Sequence, residues 1–211
     1  KVYNNTKEMK SYMYGLAISQ FLWSTHYAMY SFFINNIKKN TKKTNSYLEI
    51  GPGHGLFFLK ALESFSKNTK FDIVDISSTS IKITRSVIKF FFNNERNINY
   101  YIKNIFSYNP KYKYDFISLG EVLEHVNNPN KLLNKINFLL NKGGKVYLST
   151  CVDCPSIDHI YHFKSIGQVE QIIKKSGFKI LRRNILPVEN KPMKEIIKKK
   201  ITINYCALLK K

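Results

Sequence analysis

The amino-acid sequence predicts an α/β fold of the Rossmann-like, doubly wound type, with a seven-stranded sheet that is mostly parallel and has an antiparallel last strand. Strand-like and helix-like patterns alternate from residue 46 onward, which is typical of a parallel sheet covered by helices on both faces. A glycine-rich turn joins the first of these strands to the first helix. The last two strand-like segments, 178–186 and 201–209, are separated by only a short helical segment at 193–200. Such a pair most easily lies antiparallel at a sheet edge.

Residues 1–45 are predicted to form a helical lid in front of a domain that spans residues 46–211. Apolar residues recur at helical spacing between Glu8 and Gln20. A second helix is expected to begin after Ser24 and to run to Ile37. The polar and charged segment 38–45 then separates these helices from the first strand.

The other elements follow from the periodicity and from local start and stop signals. Strands are predicted over 46–51, 70–77, 97–104, 114–120 and 145–150, and helices over 56–65 and 79–92. Asn128 as a cap and Pro129 as the first helical residue predict a helix that stops at the glycines 143 and 144. Ser165 and Gln168 form a capping box for a helix that ends at Gly177.

The composition restricts the classes of partner. The chain has 211 residues and a net charge of +20, which would ordinarily suggest a nucleic acid or another anionic surface. However, only four of the 34 basic residues are Arg, the better residue for bidentate phosphate contacts. The chain is also rich in Asn, Ile, Phe and Tyr, as expected from an AT-biased genome, which raises the Lys content without selection for a partner. We therefore favour a small-molecule partner over a nucleic acid.

The cysteines and the apolar segments indicate the compartment. Cys151, Cys154 and Cys206 do not predict a disulfide framework in a chain of this size. Cys151 and Cys154 form a lone C-x-x-C pair, which we expect to line or underlie a substrate pocket. No apolar run approaches the length of a membrane span and no signal peptide is visible, so a cytoplasmic protein with no membrane partner is expected.

The stretch YLEIGPGHG, residues 47–55, contains three glycines at the point where the first strand gives way to a helix. Missing side chains let a ligand lie against the backbone, and the start of a helix offers free N–H groups. A nicotinamide fingerprint would place its third glycine at position 56, which is Leu56. Asp75 ends the second strand, where its carboxylate is able to accept both hydroxyls of a ribose. The alternative is that the glycines form only a tight strand–helix turn.

These segments resemble the class I S-adenosylmethionine-dependent methyltransferases over roughly residues 46–186. LEIGPGHG looks like the first motif of that family, VDIS like its second, and YDFISLGEVLEHVNNP like its fourth, in the form common among small-molecule methyltransferases. The resemblance implies S-adenosylmethionine as the cofactor. It implies cofactor contacts from Glu49, Gly51, Gly53, Gly55, Asp75, Ile76, Asn104, Ile105 and Gly120.

Within this resemblance, individual residues have expected roles. The glycine loop faces the methionine part of the cofactor, and Glu49 organises the loop and the methionine amino group. Asp75 holds the ribose. Asn104 stands where the family often has an Asp that accepts a hydrogen bond from the adenine amine, and the amide carbonyl of Asn104 is still able to accept one.

The stretch GEVLEHV, residues 120–126, brings Glu121, Glu124 and His125 to spacing i, i+3 and i+4. On a helical turn these three side chains share one face. PSIDHIYHF, residues 155–163, adds Asp158, His159 and His162. This pattern resembles the metal site of small-RNA 3′-terminal 2′-O-methyltransferases and of ubiquinone-pathway O-methyltransferases.

Two roles for these residues stay open. In the first, Glu121, Glu124, His125 and His159 bind a divalent metal ion that lowers the pKa of a substrate hydroxyl. In the second, no metal is bound, and His125 or His159 is a catalytic general base. We favour the metal-free interpretation, because the same short segment occurs in methyltransferases without a metal.

The function expected from the sequence is methyl transfer from S-adenosylmethionine to an oxygen or nitrogen of a small metabolite. The sulfonium makes the methyl group electrophilic, so catalysis rests mainly on in-line positioning. One alternative is an RNA 2′-O-methyltransferase with a divalent metal, which the charge and the Glu/His pattern favour. The other is a methyltransferase-like module that binds the cofactor without catalysis.

Overall fold

The structure is a computed structural model that describes residues 6–92 and 97–211. Its seven strands form one sheet in the order β3-β2-β1-β4-β5-β7-β6. The strands are β1 (Ser46–Ile50), β2 (Lys70–Asp75), β3 (Ile98–Ile102), β4 (Tyr114–Gly120), β5 (Leu140–Val152), β6 (Lys179–Pro187) and β7 (Ile203–Lys210). The helices are α1 (Thr6–Leu22), α2 (Ser24–Lys38), α3 (Leu56–Ser64), α4 (Ser78–Phe91), α5 (Pro129–Leu139), α6 (Ile166–Lys175) and α7 (Met193–Lys198). This arrangement confirms the predicted fold class.

The antiparallel strand differs in position from a simple edge hairpin. β7 pairs antiparallel with β5 on one side and with β6 on the other, while the β1–β2, β1–β4, β2–β3 and β4–β5 pairs are parallel. The last strand is therefore inserted inside the sheet, and β6 forms the edge. Sequence patterns give the direction of such a strand more readily than its place in the order.

One predicted boundary is wrong. The helix that begins at Pro129 ends at Leu139 and not at the glycines, because β5 already begins at Leu140. A register irregularity between Tyr114 and Phe116 accommodates this early start of β5 against β4. Extended backbone therefore occupies residues that the apolar periodicity assigned to the helix.

The predicted helix signals are found in the structure. The Asn128 side chain accepts a hydrogen bond from the Lys131 N–H at 2.9 Å. Ser165 Oγ accepts from the Gln168 N–H at 3.1 Å. Gln168 Oε1 accepts from the Lys164 N–H at 2.8 Å, one residue before the position that a standard capping box uses.

The core consists of two apolar layers, one on each face of the sheet. Met29, Phe33 and Ile37 of α2 are buried in the layer that also contains α3, so α2 is part of this core. The opposite layer is filled mainly by α5, α6 and the strands that face them. Among the helices of the described residues, none combines the length and the apolar character that crossing a bilayer requires.

Candidate active site

The carboxyl ends of β1, β2 and β4 lie side by side, because β1 is the central strand of that trio. The chain turns in opposite directions after β1 and β4, which creates the crevice where doubly wound sheets bind ligands. The loops that follow these three strands carry most of the residues that the sequence singled out.

The glycine loop between β1 and α3 has a backbone that favours glycine at three positions. Gly51, Gly53 and Gly55 have φ values of +64°, +55° and +80°. A Cβ atom on Gly51 would lie 2.9 Å from Val122 Cγ2, and one on Gly55 would lie 3.0 Å from the Thr84 Cα atom. At Gly51 and Gly55 the loop backbone thus packs closely against Val122 and Thr84, and the start of α3 after it offers free N–H groups.

Replacing Gly55 by Ala should destabilise the fold. The Cβ would meet the α4 backbone, and φ of +80° is costly for an L-residue, so we expect a loss of about 1–3 kcal/mol in the free energy of unfolding. The matched control is Gly15→Ala, because Gly15 lies inside α1 with no atom within 4 Å of its would-be Cβ. That change should raise the free energy of unfolding by about 0.5–1 kcal/mol, since Ala is the better helix former. Urea unfolding of both variants measures the difference, and equal stabilities would contradict the strain argument.

Asp75 lies at the end of β2, beside the glycine loop. Its Oδ1 accepts from the Ser77 N–H at 2.8 Å, and its Oδ2 accepts from Ser80 Oγ at 2.6 Å. Burial raises the pKa of the Asp75 carboxyl, although the bonds from Ser80 and Ser77 oppose this shift. The two oxygens together have about four acceptor sites, so the carboxylate, fixed by Ser77 and Ser80, is also able to accept a hydrogen bond from a ligand hydroxyl group.

The other predicted cofactor contacts occupy the same edge with different exposure. Ile76 is 61% exposed directly after Asp75. Asn104 is exposed after β3, and its Oδ1 accepts from the Phe106 N–H at 3.0 Å, which fixes the amide in place. Ile105 is buried in the apolar layer, and Gly120 ends β4 with its would-be Cβ 3.5 Å from Ser149 Oγ.

Glu49 is buried on β1 rather than displayed on the loop. Its carboxyl group accepts hydrogen bonds from the Tyr47 hydroxyl and from Ser118 Oγ, the latter at 3.1 Å. Burial raises the pKa of Glu49 to about 8, against the lowering effect of those two bonds. Within the described residues, the hydrogen bonds of Glu49 thus go to strands, and the expected contact with the loop is indirect, through the end of β1.

The raised pKa of Glu49 predicts a specific dependence of stability on pH. The folded protein keeps a proton that the unfolded chain releases near pH 4.5, so the free energy of unfolding should fall as the pH rises from about 4.5 to about 8. The contribution of one such proton is at most about 1.4 kcal/mol per pH unit. Urea unfolding of the cofactor-free protein between those pH values should show this slope. Glu49→Gln should reduce the slope by the contribution of one bound proton. An unchanged slope in the variant would contradict the assignment.

Glu121 and Glu124 meet at the end of β4, although not through the helical turn that their spacing suggested. A 3₁₀ turn covers only Leu123–His125, and Glu121 lies before it with a φ of +52°. Thr150 Oγ1 donates to Glu124 at 2.7 Å, whereas Oε1 of each glutamate is buried without a hydrogen bond among the described residues. Burial raises the pKa of both carboxyl groups, and the charge of Glu124 raises that of Glu121 further.

The two predicted histidines lie close to each other and to Glu124. The rings of His125 and His159 are 5.1 Å apart, centroid to centroid. His125 Nδ1 lies 3.0 Å from the Asp158 carbonyl, and His159 Nδ1 lies 2.8 Å from the Cys154 carbonyl. A carbonyl oxygen only accepts, so each Nδ1 carries a proton and the lone pair of each neutral ring is on Nε2.

The β5–α6 loop, residues 153–165, reaches these histidines because it folds back onto the turn after β4. The N–H groups of Ile160 and Tyr161 both donate to the Glu124 carbonyl, at 2.8 and 2.9 Å. The Asp153 N–H donates to the Phe163 carbonyl at 2.9 Å and closes the loop at its base. These backbone contacts carry no local sequence signal, and the sequence therefore did not reveal them.

Helix α1 contacts both loops. Tyr12 OH donates to Asp158 Oδ2 at 3.3 Å, and a Cβ on Gly53 would lie 3.3 Å from Met13 Sδ. Consecutive residues of one helix therefore lie over the glycine loop and over the β5–α6 loop. α1 thus joins the glycine loop to the β5–α6 loop.

The side chains at this edge also suit a cation. Ligand atoms of Glu124, His125 and His159 all lie within 4.8 Å of one another, and Glu121 meets Glu124 and Cys151 within the same limit. Three of the four predicted metal ligands, Glu124, His125 and His159, thus lie together. The fourth, Glu121, lies near Glu124 but is not grouped with the two histidines. Carboxylate and imidazole ligands together suit Mn²⁺, Fe²⁺, Co²⁺ or Zn²⁺ better than Mg²⁺.

Comparison with known proteins gives a family match over most of the chain. A family profile described as "Methyltransferase domain" matches residues 26–182, from within α2 to β6. Malonyl-[acyl-carrier protein] O-methyltransferase 1 of Ilyobacter polytropus is 32% identical over 110 residues, which is 52% of this chain and 39% of that protein. The chain therefore spans about two fifths of the length of the curated relatives it matches.

Solved structures share the fold at low sequence identity. The N-methyltransferase NodS of Bradyrhizobium japonicum WM9, in complex with S-adenosylhomocysteine, superposes with a TM-score of 0.69 at 14% identity, covering 90% of this chain and 89% of NodS. The [4+2]-cyclase SpnF has a TM-score of 0.66 at 12% identity, covering 84% and 79%. Because one of these neighbours is a cyclase, the likeness establishes the fold and leaves the chemistry to the site.

Proposed function

The chain belongs to the methyltransferase-domain family, and from this membership we propose that it transfers a methyl group from S-adenosylmethionine to an oxygen or nitrogen of a small molecule. The observation that carries the proposal is the crevice at β1, β2 and β4. There, a glycine loop with three positive φ values adjoins the fixed carboxylate of Asp75. NodS, whose structure contains S-adenosylhomocysteine, shares this fold and supports the choice of cofactor.

The residues present fit this cofactor. The free N–H groups at the start of α3 adjoin the place proposed for the methionine part, and Asp75 offers two oxygens to the ribose hydroxyls. The exposed side chain of Ile76 offers an apolar surface to the adenine, with Asn104 beside it. When bound, the sulfonium supplies an electrophilic methyl group.

The acceptor would lie against the turn after β4 and the β5–α6 loop. His125 is the proposed general base, because its Nδ1–H is held by the Asp158 carbonyl and its lone pair is on Nε2. The Asp158 carboxylate lies 3.9 Å from the same ring and stabilises the imidazolium once the ring has taken a proton. Burial raises the pKa of Asp158, but the bond from Ser156 and the charge of His125 outweigh this effect and lower it. His159 is the second imidazole at the site and the alternative base.

A metal-assisted reaction is the second candidate, favoured by the grouping of Glu124, His125 and His159 within 4.8 Å. An ion held there would lower the pKa of an acceptor hydroxyl and remove the need for a base. The preferred acceptor would then be a diol or a similar paired-oxygen group, which chelates the ion.

We also propose that α1 and α2 act as the lid over the bound cofactor. The contacts of α1 with the glycine loop and with Asp158 support this role. α2 supplies buried side chains to the core, and Met9 and Met13 of α1 are buried against Ile83 of α4, so both helices pack against the rest of the domain.

A methyl-transfer assay tests the function and separates the acceptor classes. With radiolabelled S-adenosylmethionine, we expect label in small hydroxy acids, carboxylic acids or amines. Acids carried on acyl-carrier protein belong in the panel, since the curated relatives are named for such an acceptor. Transfer to none of these acceptors, with cofactor binding intact, would favour the non-catalytic module.

RNA should be a poor acceptor, although the chain has a net charge of +20. We expect weak binding to single-stranded RNA that loses most of its strength between low and physiological salt, because unspecific lysine contacts act by counterion release. Fluorescence anisotropy at several salt concentrations measures this dependence. Methylation of small-RNA 3′ ends at rates that match a good metabolite would reverse the ranking.

A further inference from the structure

A second cluster of potential metal ligands lies where the C-x-x-C pair meets the β5–α6 loop. Ligand atoms of Cys151, Cys154 and His159 lie within 4.8 Å of one another. Cys151 is buried at the end of β5, while Cys154 and His159 are half-buried in the loop. The third ligand, His159, was not indicated by the cysteine spacing, because only the fold of the loop brings it to the thiols.

A fourth ligand faces this cluster. Glu124 is 1% exposed, and its Oε1 is buried without a hydrogen bond among the described residues. Glu124 also lies within 4.8 Å of Cys151 in one group of potential ligands and of His159 in another. A buried carboxylate oxygen without a donor is costly, and a cation at this point would remove that cost.

We propose that Cys151, Cys154 and His159, with Glu124 as the fourth ligand, bind a zinc-type divalent ion. Two thiolates, one imidazole and one carboxylate are the donor types that tetrahedral zinc sites use. The ligand atoms around a tetrahedral zinc ion lie roughly 3.5–3.8 Å apart. The ligand atoms of Cys151, Cys154 and His159 lie within 4.8 Å of one another, so small side-chain rotations would bring them to this spacing, and Glu124 would have to approach Cys154 as well.

The hydrogen bonds of His159 suit this role. Its Nδ1–H donates to the Cys154 carbonyl at 2.8 Å, and the same nitrogen lies 3.9 Å from Cys151 Sγ, so the ring is held against the thiols and Nε2 carries the lone pair. Backbone carbonyls commonly orient metal-binding histidines in this way. Thr150 Oγ1 donates to Glu124 Oε2 at 2.7 Å and so orients the carboxylate, as the Cys154 carbonyl orients the His159 ring.

The ion would join the end of β5 to the β5–α6 loop and to the turn after β4. That loop also carries Asp158, whose carbonyl orients His125. Binding at the thiols is thus expected to rigidify the wall of the acceptor site. We call Cys151, Cys154, His159 and Glu124 the thiol set, and Glu121, Glu124, His125 and His159 the oxygen–nitrogen set. The two sets share Glu124 and His159, so an ion bound in one set excludes an ion from the other.

The test is metal binding by the full chain under reducing conditions, which does not depend on methyl transfer. We expect the purified protein to retain Zn²⁺ after dialysis, and Co²⁺ to replace it with a thiolate-to-cobalt absorption band in the near ultraviolet. Cys154→Ala and Cys151→Ala should each weaken Co²⁺ binding by more than about 100-fold, since even the loss of outer-shell partners costs about 10–100-fold. Each variant should also weaken or remove the thiolate band.

Cys206→Ala is the matched control. Cys206 is a buried cysteine on β7, within the apolar layer beside α2, and its removal should leave Co²⁺ affinity and the band unchanged. Circular dichroism shows whether each variant is folded, and Cys154, being half-exposed, offers the change that least disturbs packing. Wild-type affinity in a folded Cys154→Ala protein, or a Co²⁺ spectrum without a thiolate band, would overturn the proposal. Metal binding that survives both cysteine changes but disappears in Glu121→Gln would place the ion in the oxygen–nitrogen set and would also overturn it.

Discussion

Asp75→Ala should weaken binding of S-adenosylhomocysteine by at least roughly 100-fold. The carboxylate is held in place by Ser77 and Ser80 and lies where two ribose hydroxyls would bind. Hydrogen bonds to a charged group are worth about 1.5–3 kcal/mol each, and the substitution removes a pair of them. Isothermal titration calorimetry of the purified chain measures the loss directly.

The control for this experiment is Glu63→Ala. It also removes one carboxylate, but from an exposed pair with Lys60 on α3, away from the crevice. Cofactor affinity should stay at the wild-type value in the control. Unchanged affinity in Asp75→Ala would refute the assignment of the ribose site, and preferential binding of NADH would refute the choice of cofactor.

His125→Asn should lower the rate of methyl transfer by about 10²–10⁴-fold, with cofactor affinity preserved. Asn is chosen because its side-chain N–H₂ replaces Nδ1–H as the donor to the Asp158 carbonyl, while the lone pair of Nε2 is lost. Single-turnover measurements with saturating cofactor separate the chemical step from binding.

His162→Asn is the matched control, since His162 is an exposed histidine of the same loop. A normal rate is expected for it. The metal-assisted alternative predicts a different pattern, in which Glu121→Gln fails together with His125→Asn and one divalent ion restores turnover after EDTA. A wild-type rate in His125→Asn would leave positioning as the sole source of catalysis.

The sequence predicted the scaffold well because its signals are local. Alternating periodicity defined the strands and helices, and short pairs such as Asn128–Pro129 fixed where a helix starts. The crevice followed from these elements, since the carboxyl ends of neighbouring parallel strands must meet. The glycine loop and Asp75 could therefore be predicted to share one edge.

The chemistry of the acceptor side could not be predicted to the same degree. Glu121 and Glu124 meet through a left-handed residue and a 3₁₀ turn, whereas their spacing indicated one face of an α-helix. Cys154 and His159 come together because the β5–α6 loop folds back on the Glu124 carbonyl, a contact between distant segments. Such contacts depend on tertiary packing, for which a single sequence has no periodic signal.

The position of β7 has a consequence for how the protein is made. β7 lies between β5 and β6 and pairs with both. The strand that joins β5 to β6 is therefore missing until residues up to Lys210 have left the ribosome. Until then β5 presents an unpaired edge, which is a template for pairing with another chain. The end of β5 carries Cys151, and the loop after it carries Asp158 and His159, so the acceptor wall adjoins the strand whose edge β7 covers. A chain that stalls before β7 would therefore expose this edge, and we expect it to aggregate.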